Sequence, residues 1–147
     1  MNIELEEYIN YLENKEPSFF CAAPKIQNDY LEIYIRKCEK EDFTLHEIFL
    51  DFVKKGNIVL VKKLLNDIRI EPNHLNNEAV ILSILNDRMK ILHLLLNNEK
   101  VDPSDQNNLA LRLAIIQNNK PCIQMLLSHP RVKETLIYYP DILNSLG

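Results

Sequence analysis

Few side chains in this sequence could do covalent or metal chemistry: Cys21, Cys38 and Cys122, with His46, His74, His93 and His129. A nucleophilic cysteine needs a base beside it and a lowered pKa, and a structural metal needs ligands at short, regular spacing. These residues form no Cys-x₂-Cys or His-x₃-His pair, and no carboxylates cluster around them. Cys122 stands 31 positions after the apolar Ile91 on the same side of its helix, where a thiol behaves as a small hydrophobe. With only two glycines in the chain, no glycine-rich loop can cradle a phosphate. The sequence therefore assigns no catalytic residue, no metal and no cofactor, and what is left is a binding surface.

Charge narrows the class of partner. Residues 1–44 carry five Lys/Arg against ten Asp/Glu, and residues 45–147 carry twelve against eleven, for a net −4. Neither part has the dense basic surface that nucleic-acid binding demands. The basic run from Lys54-Lys55 to Lys62-Lys63 crosses a turn between two helices and reads as a solvated face, although it could attract an acidic partner. No apolar run approaches the ~18 residues that span a membrane. The start, Met1-Asn2-Ile3-Glu4, has neither the basic nor the apolar region of a secretory signal. The three cysteines are an odd number with no short spacing, which fits reduced thiols in the cytoplasm or nucleus.

The elements that must present such a surface come from an internal repeat. Slid by 31 positions, residues 70–100 align with residues 101–131 without a gap. Pro72 meets Pro103, Asn76-Asn77 meets Asn107-Asn108, Ala79 meets Ala110, Ile84 meets Ile115, and Leu95-Leu96 meets Leu126-Leu127. The same shift carries Leu64-Leu65 onto Leu95-Leu96, so residues 39–69 form a third, divergent copy. Each copy resolves into a short helix, a tight turn, a second helix and a polar stretch with a proline. In the second copy the helices are expected at Glu78–Leu85 and Arg88–Asn97, in the third at Leu109–Gln117 and Pro121–Ser128. One such helix pair cannot bury its own apolar face, whereas stacked pairs bury a shared one.

Before the repeats, Leu5, Tyr8, Ile9 and Leu12 predict a helix over Ile3–Asn14, followed by a loop or single turn between Pro17 and Pro24. Asp29-x-x-Glu32 predicts a capping box opening a second helix, with Tyr30, Leu31, Tyr34, Ile35 and Cys38 on one side. Thr44-x-x-Glu47 predicts another, ahead of Leu45, Ile48, Phe49, Phe52 and Val53, and Lys54-Lys55-Gly56 ends that helix. The expected organisation is a helical cap or degenerate repeat over 1–43, about three repeats over 44–132, and a partial repeat or cap over 133–147.

This pattern resembles the ankyrin repeat, whose unit is a hairpin-like finger and two antiparallel helices. The family's Thr-Pro-Leu-His-x-Ala start falls on Leu109-Ala110-Leu111-Arg112-Leu113-Ala114 and on Glu78-Ala79-Val80-Ile81-Leu82-Ser83, where Leu111 and Ala114 keep the pattern. Gly56-Asn57 matches the family's Gly-His turn; Asp87-Arg88 and Asn118-Asn119 depart from it. The unit here is 31 residues instead of the usual ~33. The resemblance implies an all-α, ankyrin-like solenoid acting as a non-enzymatic protein-interaction module with a concave groove. Its partner would lie across the finger tips and the exposed side of the first helices.

Carried onto this chain, that surface comprises Phe43, Thr44 and His46 in the first copy, with Lys54 and Lys55 nearby. In the second copy it comprises His74, Leu75, Asn77, Leu85 and Asn86, and in the third Asp105, Gln106, Asn108, Ile116 and Gln117. Leu85 and Ile116 share one repeat phase, and two placements are open for them: an apolar contact ridge, or helix packing. The Asn pairs are expected to serve loops and helix caps. The expected partner is another protein, as in an adaptor or a module that binds a host factor. The alternative is a self-assembling structural protein that pairs with another copy through its groove or its open C-terminal end.

Overall fold

The computed structural model describes residues 24–147, so the expected helix at Ile3–Asn14 and the loop of residues 18–23 lie outside the described residues. The chain divides into two compact units, Met1–Asp51 and Phe52–Gly147. No strand occurs among the described residues.

In the first unit, α1 spans Pro24–Lys40. It starts earlier than the Asp29-x-x-Glu32 box suggests, because Pro24 suits the first helical turn, where its missing N–H has no partner to lose. Asp29 therefore sits inside the helix and not at its cap. Leu31, Tyr34, Ile35 and Cys38 are buried along one side, as the periodicity requires. The helix closes at Asp42, whose φ of 66° is left-handed, and the Phe43 amide donates back to the Cys38 carbonyl at 3.2 Å. Helix α2, Leu45–Lys55, starts in the first unit and ends in the second; it opens with the predicted capping box, the Thr44 amide donating to Glu47 Oε2 at 2.6 Å and the Glu47 amide to Thr44 Oγ1 at 3.2 Å.

The second unit is the repeat array. Its helices are α3 (Ile58–Leu65), α4 (His74–Leu85), α5 (Met89–Leu96), α6 (Asp105–Ile116), α7 (Lys120–Leu127), α8 (Pro130–Thr135) and α9 (Pro140–Leu146), with a 3₁₀ turn at Leu136–Tyr138. Each first helix packs against its own second helix, α4 on α5 and α6 on α7. First helices also stack on first helices, α4 on α6 and α6 on α9, while α3, α5 and α7 stack in a parallel layer. The core repeats with the sequence. Leu64, Leu95 and Leu126 are buried at one phase, Leu60, Ile91 and Cys122 at another, and Ile70, Val101 and Val132 at a third. Fully burying a side chain of this kind stabilises by about 1.5–3 kcal/mol relative to exposure.

The turn between paired helices keeps one geometry through three different residues. Gly56, Asp87 and Asn118 have φ of 78°, 56° and 53°. The next amide then donates five residues back: Asn57 to the Phe52 carbonyl at 3.0 Å, Arg88 to Ser83 at 2.7 Å and Asn119 to Ala114 at 3.0 Å. Asp and Asn tolerate this left-handed conformation, so leaving the Gly-His pattern costs the turn little. At the first turn a Cβ on Gly56 would stand 2.9 Å from Arg88 Cδ, so a side chain there would have to displace the Arg88 side chain. Asn57 and Asn119 cap the following helices, accepting from the Leu60 and Cys122 amides at 3.2 and 3.1 Å. Arg88 instead reaches back, its Nε donating to the Lys54 carbonyl at 3.0 Å.

The fingers are side-chain-braced turns without strands. Asp67 Oδ1 accepts from the Arg69 amide at 2.9 Å, and Asn98 Oδ1 from the Lys100 amide at 3.0 Å. Pro72 and Pro103 follow, with no N–H for a ladder. At the C-terminal end, α8 stands where a further finger would begin and buries Val132 at the phase of Val101. Helix α9 occupies a first-helix position, held by an ion pair between Arg112 and Asp141 and by Tyr139, whose hydroxyl donates to Asn107 Oδ1 at 2.8 Å.

Candidate functional site

Near their starts α4 and α6 are interrupted by left-handed residues, so that regular helix in α6 begins only after Asn108. Gln106, Asn107 and Asn108 have φ/ψ of 53/49°, 58/42° and 59/40°, and Asn77 has φ 62°. Each non-glycine residue there carries about 1–2 kcal/mol of steric cost, which Asn bears best through local hydrogen bonds. Those bonds reach the neighbouring repeat. Asn77 Nδ2 donates to Asp105 Oδ2 at 3.0 Å, and the Asp102 amide donates to Asn77 Oδ1 at 3.1 Å. One repeat later, Asn108 Nδ2 donates to Thr135 Oγ1 at 3.0 Å. The Arg112 Nε donates to the Asn107 carbonyl at 2.8 Å.

This geometry corrects part of the expected contact surface. Asn77 and Asn108 are 4% and 0% exposed, so their side chains bind the next repeat and cannot reach a partner. They are staples between repeats more than loop or cap devices. Asp105 is exposed, yet its carboxylate also accepts from the Gln106 amide at 2.8 Å, so part of its hydrogen-bonding capacity is already used. Thr44 is spent on its capping box, and Phe43 and His46 are half-buried; all three belong to the first unit. The Leu75 side chain lies outside the described residues.

What remains on the array is coherent. Leu85 and Ile116 are 52% and 79% exposed, which decides against their lying in helix packing. They end α4 and α6, two first helices packed directly on each other, and their neighbours Ile84 and Ala114 are buried. Beside them, Gln117 is exposed and Asn86 is half-buried, its Nδ2 donating to the Leu82 carbonyl at 2.8 Å. His74, Asp105 and Gln106 present exposed polar groups at the start of the same helices. Lys54 is exposed at the equivalent phase of the first copy.

The thiols are poor nucleophiles in this setting. Burial, reinforced by Asp51 and Glu39, pushes the Cys38 thiol up to about 12; burial and Asp87 push Cys122 up to about 11. Neither forms an appreciable thiolate near neutral pH. Burial, aided by Arg131, lowers the His129 pKa and favours its neutral ring. Among the described residues no three His, Cys, Asp or Glu side chains come together as metal ligands. No helix among them is long and apolar enough to cross a membrane.

A family model described as ankyrin repeats, in three copies, matches residues 49–135, more than half of the chain. The protein belongs to the ankyrin repeat family, whose members are generally non-catalytic modules for binding other proteins. No curated protein and no solved structure matches the chain.

Proposed function

We propose that the repeat array grips a partner protein along its first-helix layer, with Leu85 and Ile116 as apolar anchors. His74, Asp105, Gln106, Asn86 and Gln117 set specificity around them. The observation that carries this reading is the pair of equivalent aliphatic side chains, 52% and 79% exposed, on adjacent packed helices. An array braced by buried side chains and staples loses little ordering entropy on binding, so such anchors can act as hot spots. The role is that of an adaptor presenting a concave groove. The test is capture of a partner from the source cell, read by mass spectrometry, with the wild type and with Leu85→Asp plus Ile116→Asp. A partner held by the wild type and lost by a variant that melts normally supports the reading. A variant that unfolds, or that keeps every partner, removes it.

A second reading rests on a separate observation: Ile137, Tyr138 and Leu143 are 71%, 72% and 45% exposed near the last helix of the array. There a second copy would pair with this exposed apolar face, making the protein self-assembling. Light scattering across a concentration range separates the two, since only self-assembly raises the mass with concentration.

A further inference from the structure

The second-helix layer has a surface chemistry that the first-helix reading does not use. Helices α3, α5 and α7 carry Lys62, Lys63, Lys90 and Lys120 and no Asp or Glu. Three depressions run across this layer, of about 640, 420 and 420 Å³, and each shares residues with the next. The middle one is lined by Ile58, Met89, Lys90, His93, Leu94 and Met125: a floor of aliphatic and thioether groups under two basic side chains. Lys90 and His93 are exposed, as is Lys62, which stands at the phase of His93 one repeat earlier. Carboxylates line only the flanking depressions. Asp87 accepts from Asn119 Nδ2 at 3.2 Å, and Glu99 lies toward the far end.

We propose that this groove is a second docking surface whose occupant is an acidic amphipathic helix of another protein. Charge selects the acidic character: Lys90 lines the middle depression, Lys62 stands exposed on the neighbouring helix, and the middle depression contains no competing carboxylate. The floor selects apolar side chains, and methionines adapt to irregular ones. The layer offers no strand edge, so an extended peptide would leave its backbone groups unpaired, whereas a helix satisfies its own. A duplex or single-stranded nucleic acid fits less well, because it lays a phosphate at every step of the groove, over Asp87 and Glu99 as well as over Lys90, and no Phe, Tyr or Trp lines the groove to stack on bases.

The full-length protein would be titrated into a fluorescent, helix-stabilised peptide of roughly 15 residues, with leucines at i, i+3, i+4 and i+7 and glutamates elsewhere. The expected result is saturable binding that weakens with salt. Lys62→Glu with Lys90→Glu should weaken it about tenfold or more, while Lys62→Arg with Lys90→Arg keeps it. The Leu85→Asp, Ile116→Asp protein should bind this peptide as the wild type does, which separates the groove from the first-helix face. Equal binding of a peptide with lysine in place of glutamate would overturn the proposal. So would indifference to the lysine reversals, or tighter binding of oligonucleotide or phosphatidylserine vesicles than of the acidic peptide. Both lysines are exposed, so the reversals leave the fold intact, and thermal melting confirms it.

Discussion

The two helix layers of the array come from one 31-residue period, yet they present different surfaces. The first helices carry charges of both signs, Glu78, Asp105 and Arg112, and expose aliphatic side chains at a single phase, Leu85 and Ile116. The second helices carry only lysines and recess their apolar surface into a methionine-lined groove. The buried positions are the same kind in both layers. The difference teaches that the period specifies packing, and that the two surfaces diverge at the positions the packing leaves free.

Exchanging buried for exposed leucines breaks this comparison most directly. Leu95, on α5, is 0% exposed and shares its phase with Leu64 and Leu126; Leu85, on α4, is 52% exposed. Leu95→Ala should cost about 2–5 kcal/mol in urea unfolding, through lost burial and a residual cavity. Leu85→Ala should stay within about 0.5 kcal/mol of the wild type. A large loss at Leu85 would make it core and remove it from any binding role.

A smaller effect separates two left-handed asparagines. Asn118, in the turn between the paired helices, is exposed and occupies the place that glycine takes at Gly56. Asn108, in the non-helical stretch near the start of α6, is fully buried and bonded to Thr135. Glycine accepts the backbone conformation at both sites, so the substitution to Gly isolates the side chain. Asn118→Gly should be nearly neutral, whereas Asn108→Gly should cost about 0.5–1.5 kcal/mol by removing its bond to Thr135, whose hydroxyl keeps the Arg131 and Val132 carbonyls. Equal outcomes would mean that the asparagines serve the backbone alone.

Much of the architecture was legible because burial repeats. Leu64, Leu95 and Leu126, the helix pairs and the Thr44 capping box all follow from periodicity and caps. The roles of Asn77 and Asn108 were not legible. An Asn before a helix looks the same whether it caps that helix or crosses to the next repeat, and only the stacking distance decides. The early start of α1 at Pro24 was obscured by a capping-box pattern that lies inside the helix. The groove was missed because its signal is an absence, helices with lysines and no carboxylates, spread over three repeats.

The smallest predicted effect concerns acid. Among the described residues, two carboxylates with lowered pKa stand out, one in a finger and one on the first-helix side. The hydrogen bond and charge of Arg112 hold the Asp141 carboxyl below its ordinary value of 3.8, and Arg69 does the same for Asp67. A depressed folded-state pKa means that the unfolded chain binds the proton more readily. The associated stability is therefore present above the ordinary carboxylate value and is lost as pH falls through the lowered one. Both pairs are largely exposed, so the effect is screened and small. Urea midpoints measured from pH 7 down to pH 3 should fall less steeply for Asp141→Asn than for the wild type, the two converging at the acid end (about one pH unit below the ordinary carboxylate value). Parallel curves would show that α9 is held by Ile142 burial and the Tyr139–Asn107 bond alone, with no contribution from the ion pair at that end of the first-helix layer.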